Sequence, residues 1–298
     1  MTTPSPLRER AEALYRALQD ELVAGLEALD GGARFGRDAW TRPEGGGGVT
    51  RVLADGAVLE KAAVNVSAVW GPAPKALVEH LKLEAGAFFA TGISMIFHPR
   101  NPHAPTFHAN VRYFETDAGV AWVGGGCDLT PYYLYEDDVR HFHGVVRDAC
   151  ARHAVAEHAA WKAWCDRYFV NHHRGEARGV GGIFFDHVRG DLGALLDFQA
   201  DLGRSWLPAW APLVARRKDT PFGPDEERWH LQRRGRYVEF NLLHDRGTRF
   251  GLDTRGRTES ILVSMPPRAR WDYDARPAPG SPEARLLDVL EGPPRDWV

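Results

Sequence analysis

The sequence predicts an α+β fold: a large, mainly antiparallel β-sheet flanked by layers of α-helices, in a single domain over residues 1–298. Three observations predict it. Period-two segments crowd into residues 86–123 and return after Tyr237. Several of them are joined by short turn sequences, which suit hairpins rather than crossovers. No repeat, charge run or long linker divides the 298 residues, a length that buries a sizeable core.

The elements follow in order. Leu7, Leu14, Leu18, Leu22, Leu26 and Leu29 recur at helical spacing, predicting a helix over 7–29 stopped by Asp30-Gly31-Gly32. Gly45 to Gly48 reads as a loop, and Gly56 as a turn between short strands. A strand ending in Gly92 to His98 meets Pro99, and Arg100 to Pro105 is a turn. In the next strand Phe107, Ala109, Val111 and Tyr113 share one face, and His108, Asn110 and Arg112 share the other. Val120 to Val123 is a strand running into Gly124-Gly125-Gly126. Residues 135–171 are mostly helical, with another helix over 191–213. Tyr237 to His244 and Thr248 to Leu252 are expected to form a hairpin around Asp245-Arg246-Gly247, with a last strand over 258–265.

Composition excludes several classes. Aromatic residues make up 11% and the net charge is −3, which rules out disorder and argues against a nucleic-acid binder. No apolar run approaches the ~18 residues of a membrane span, and residues 1–20 lack the apolar centre of a signal peptide. Cys127, Cys150 and Cys165 are too far apart for a metal or iron–sulfur run. They read as reduced thiols, and the expected location is cytoplasmic. No dinucleotide or P-loop fingerprint is present. Of the 37 basic residues 32 are Arg, so a carboxylate ligand meets guanidinium forks.

The chemistry concentrates on two neighbouring strands. His108, Asn110 and Arg112 offer a proton-transfer group, an amide and a carboxylate-binding fork on one face. Ser94 and His98 share a face in the preceding strand, so the two strands suggest one pocket in the sheet surface. His98, His108, His143 and His173 are candidates to converge, as acid–base groups or on a divalent metal, although no tight ligand spacing is present. Asp128 follows three glycines, either as a helix cap or as a carboxylate at a pocket lip. Asp245 and Arg246 pair a carboxylate with a guanidinium at a turn, or cap it. Arg112, Arg246, Arg255 and Arg257 together would suit a ligand with several carboxylates.

Four stretches, GISMIFHPRNPHAPTFHANVRYF, WVGGGCDLTPYYLYEDDVRHFH, WKAWCDRYFVNHHRGEARGVGGIFFDH and YVEFNLLHDRGTRFGLDTRGRTESILVSMPPRARWDY, together resemble the oxygen-dependent coproporphyrinogen-III oxidases. The resemblance implies oxidative decarboxylation of two propionates of coproporphyrinogen III to vinyl groups, giving protoporphyrinogen IX, CO2 and H2O2 in heme biosynthesis. It implies a homodimer, with residues 237–272 important for dimerisation. Molecular oxygen is the implied co-substrate, without flavin, nicotinamide or iron–sulfur cluster. A divalent cation, manganese first, is implied at His98, His108, His143 and His173, its need in turnover left open. His108 falls where the family has its proton donor, and Asp128, Asp245 and Arg246 where it has active-site carboxylates and a guanidinium. Substrate contacts fall at Ser94, Asn110, Val111, Arg112, Arg255, Gly256 and Arg257. The chain departs from the family at His187, where a second Asp is usual, at the extra His172, and at Arg255, where Gly is common. A histidine–metal oxygenase for another polycarboxylate and a tetrapyrrole carrier without turnover are the competing functions.

Overall fold

A computed structural model describes residues 5–73, 78, 86–253 and 256–298. Helix α1 spans Pro6–Asp30, opened by Ser5, whose hydroxyl accepts from the Arg8 N–H, and closed by Gly31 in the left-handed region at φ 73°. Seven strands follow around one sheet: β1 Gly36–Thr41, β2 Gly46–Ala54, β3 Leu59–Pro72, β4 Ala87–Pro99, β5 Thr106–Thr116, β6 Ala121–Thr130 and an edge strand, Gly182–Val188. They lie in that order and every neighbouring pair is antiparallel. The α+β expectation is therefore met, and β4 is the middle strand.

The two faces of the sheet have opposite characters. Ile93, Met95 and Phe97 of β4 and Phe107, Ala109, Val111 and Tyr113 of β5 are buried in the main core. Against them pack α1, helix α2 (Glu136–Ala151) and helix α4 (Leu192–Arg217). Helix α3 (His158–Tyr168) lies against the edge strand, where Trp161 stacks on Phe185. The other face carries the even-numbered residues of β4 and β5. Over its His98 end stand α5 (Pro224–Glu239) and a π-helical turn, Phe240–His244, followed by α6 (Arg246–Asp253) and α7 (Thr258–Leu262). The Ser260 hydroxyl meets that of Thr50 at 2.8 Å, and its carbonyl accepts from Asn65 Nδ2 at 3.1 Å.

Three expectations are corrected. The expected hairpin around Asp245 is helical on both sides of that residue, which is itself extended. Its short apolar runs fit either period, and α5 runs straight on into the π turn. The strand over 258–265 is instead the short helix α7 and the turn after it. Of the expected glycine loop, Gly46 to Gly48 belong to β2, where a Cβ on Gly48 would sit 2.5 Å from the Val66 carbonyl oxygen and the Trp40 ring. Gly124 to Asp128 likewise lie inside β6, so Asp128 is a strand residue and caps no helix.

Candidate active site

Strand register builds the site. Ser94 lies opposite Asn65 on one side and Asn110 on the other, and Asn110 lies opposite Gly126. The next row places His108 between Ile96 and Asp128, and a third places Arg112 between Gly92 and Gly124. Ser94 is exposed although it sits in the middle strand of seven. The sheet is therefore open to solvent at its centre, where Ser94 lies between the half-buried Asn65 and Asn110.

His108 anchors one end of that open face. Asp128 directly across the strand pair accepts from its Nδ1 at 2.8 Å. Arg178 approaches from the loop before the edge strand and donates through Nη2 to both Asp128 oxygens, each at 2.7 Å. Arg178 and Asp128 are 2% and 1% exposed. The guanidinium is enclosed by Phe169, Tyr237 and Phe240, 4.2, 4.8 and 4.7 Å from its centre. Burial alone would raise the Asp128 pKa, but the Arg178 charge and the His108 bond outweigh it and hold the carboxyl below its usual value. An ionised Asp128 accepts the Nδ1 proton, so Nε2 is the nitrogen left to exchange a proton with a ligand. His108 is partly exposed, with its ring edge-on to Phe169 at 6.1 Å.

Arg112 occupies the other end. It donates through Nη1 to Asn110 Oδ1 at 2.9 Å and pairs through Nη2 with Asp186 Oδ1 at 2.8 Å. Its side chain keeps 34% exposure, so part of the fork faces solvent. The side chain of Val111, between Asn110 and Arg112, is buried in the core on the opposite face, which leaves its backbone for any contact with substrate. Asp245 caps α6, accepting from Thr248 N at 2.7 Å and Oγ1 at 2.8 Å, while its other oxygen accepts from Tyr168 OH at 2.9 Å. The Arg246 guanidinium lies 4.9 Å from the Tyr168 ring centre. Gly256 donates its N–H to the Gly251 carbonyl, and Arg257 pairs with Asp38 at 2.5 Å. Arg255 lies outside the described residues.

The four histidines expected around a metal are not brought together. His98 is fully buried between Thr106 Oγ1 at 3.2 Å and the Ser264 carbonyl at 3.0 Å. His143 is on α2 and donates from Nε2 to the Val180 carbonyl at 3.0 Å. His173 is at the surface, 2.7 Å from Glu239 and 2.8 Å from His244. Among the described residues no group of three or more His, Cys, Asp or Glu is placed to hold a metal ion. The expected set therefore does not fit a single cation; each ring is taken by a different local partner. Arg178, Asp186, Tyr168 and Phe169 were not among the residues expected at the site. For Arg178 the one signal was an arginine between Gly175 and Gly179, just before a strand.

Comparison with known proteins identifies the family. The family profile described as Coproporphyrinogen III oxidase matches residues 10–297. A curated relative, "Oxygen-dependent coproporphyrinogen-III oxidase, chloroplastic" of Glycine max, is 50% identical over an alignment covering 98% of this chain and 80% of the relative. The chain belongs to the coproporphyrinogen III oxidase family.

Proposed function

We propose that this chain, folded as one domain over residues 1–298, performs its family's reaction on the open sheet face around Ser94. Coproporphyrinogen III and O2 are the substrates, and two propionates leave as CO2 to give the vinyl groups of protoporphyrinogen IX in heme biosynthesis. Each round balances as one propionate carboxylate, one O2 and one proton giving one vinyl group, CO2 and H2O2. The carbon next to the ring gives up a hydrogen with its electron pair to oxygen, and the C–COO⁻ bond supplies the electrons of the new double bond. O2 reacts directly with the electron-rich pyrrole once its N–H proton has been withdrawn.

The observation that carries this proposal is the pairing of a held imidazole and a partly exposed guanidinium on one open sheet face. His108 and Arg112 are four residues apart on β5, about 13 Å along the strand. That span suits a macrocycle lying across the face better than one small acid. His108 moves protons through Nε2, kept in one tautomer by Asp128 and Arg178. Arg112 grips a propionate at the rim. Asp128 is enclosed by its two partners, so the pyrrole N–H acceptor is assigned to Asp245, which is only partly buried. The tetrapyrrole-carrier alternative would need the arginine rim but not the His108–Asp128–Arg178 series.

Homodimerisation through residues 237–272 is proposed on the exposed Leu242, Leu243, Leu252 and Trp271, an apolar group that fits an interface. A cytoplasmic location is proposed on the three free, buried thiols, which suit a reducing compartment. The test of function is aerobic incubation with coproporphyrinogen III, followed by oxidation and protoporphyrin fluorescence. Fluorescence that needs O2 is expected. Binding without product would make the chain a carrier.

A further inference from the structure

We propose that Asp186 is a positioning residue that aims Arg112 at the substrate propionate, and that Gly124 keeps the space in which it does so. The proposal rests on the assignment of Arg112 to substrate binding made above.

The register between β6 and the edge strand carries it. Val123 pairs with Val188 and Gly125 with Phe185, with a register shift between them. Asp186 and His187 therefore oppose the single residue Gly124. Such a two-against-one bulge twists the strand locally and re-aims a side chain. His187 takes a left-handed conformation, φ 53°, which L side chains seldom adopt. Its N–H donates to Asp186 Oδ1 at 2.9 Å, fixing that carboxylate from its own backbone. The same oxygen accepts from Arg112 Nη2.

Gly124 lies between the two partners. A Cβ there would stand 2.8 Å from Asp186 Oδ1 and 2.9 Å from Arg112 Nη2, closer than real contacts allow. On the other flank of Arg112 a Cβ on Gly92 would meet the Val111 carbonyl at 2.9 Å and Arg112 Cβ at 3.1 Å. Arg112 thus runs along a row with no side chain beside it. Its fork crosses β6 to reach Asp186, while Asn110 takes Nη1. With one edge held in this way, the remaining N–H groups are pre-oriented for a second carboxylate.

The experiment compares Asp186→Ala, Asp186→Asn, Gly124→Ala, Arg112→Met and the Arg112→Met/Asp186→Ala double variant in steady-state kinetics, with thermal melts alongside. Asp186→Ala and Gly124→Ala should each raise KM for coproporphyrinogen III about tenfold with kcat little changed, the scale of one charge-assisted hydrogen bond. Asp186→Asn keeps an acceptor oxygen and should recover part of the loss. In the Arg112→Met background Asp186→Ala should add nothing further, because its effect passes through Arg112. If Arg112→Met raises KM while Asp186→Ala does not, the positioning role is overturned and substrate binding by Arg112 stands. If Arg112→Met leaves KM unchanged, the assignment of Arg112 itself fails. An Asp186→Ala effect that persists undiminished in the Arg112→Met background also overturns the proposal, as would equal losses in melting temperature and kcat.

Discussion

Replacing Asp128 by Asn separates what holds the site together from what it does. The change removes the charge facing a guanidinium that is only 2% exposed and whose Nη2 makes two 2.7 Å bonds to that carboxylate. Breaking one side of a buried pair costs about 3–5 kcal/mol, because the other charge stays buried without its partner. An Asn amide still offers one oxygen, so Asp128→Asn belongs at the lower end of that range. The amide can also present N–H to His108 Nδ1, which allows the wrong tautomer and takes Nε2 out of proton transfer. A fall in kcat of ~10²–10⁴ is therefore expected. Adding Arg178→Met removes the stranded charge and fills the Phe169–Tyr237–Phe240 enclosure with an apolar chain of similar length. The double variant should regain most of the lost stability in urea denaturation, since apolar replacement of a buried pair is often neutral or stabilising. Its turnover should stay low. If activity returns together with stability, Asp128 and Arg178 serve only the fold, and the orientation of His108 owes nothing to them.

Other outcomes follow from the same contacts. Burial pushes His143 down to about 4, against ~6.5 in the unfolded chain. Between those values the unfolded chain binds the extra proton. The stability that the neutral ring allows is therefore complete above pH ~6.5 and declines as pH falls toward 4, by up to about 3 kcal/mol. The buried His98 and His230 shift in the same direction, so urea midpoints should fall from pH 7.5 to pH 5, and equal midpoints would contradict the burial argument. Leu243→Asp, at a side chain 54% exposed within the proposed interface, should leave the monomer fold intact and shift sedimentation from dimer to monomer. An unchanged dimer would place the interface elsewhere.

The sequence carried the sheet centre plainly and the C-terminal third poorly. In β4 and β5 the apolar residues of the main core fall on one parity, and the register then fixes which polar residues meet. His108, Asn110, Arg112 and Ser94 were legible for that reason. The 237–265 stretch misled because its short apolar runs satisfy period two and period 3.6 alike. Asp245 as a cap was open as an alternative; what it caps is a helix rather than a hairpin turn. Arg178 and Asp186 were not legible, since each reaches the site through contacts between residues far apart in sequence, Arg178 to Asp128 and Asp186 to Arg112. The histidine set failed for a related reason: composition counts imidazoles but not which face each occupies. His143 stands in the helical layer behind the sheet, and His173 is at the surface against Glu239.

The most direct test is His108→Ala, measured for both turnover and binding. The account predicts that kcat falls by ~10²–10⁴, the range for losing a general acid or base. Coproporphyrinogen III should still bind, because Arg112, Asn110 and Ser94 on the same face are untouched. The binding is read anaerobically from quenching of tryptophan fluorescence, and turnover from protoporphyrin formed after oxygen is admitted. Near-normal turnover in a folded His108→Ala protein would contradict the account, because the group that Asp128 and Arg178 hold in place would then move no proton that matters.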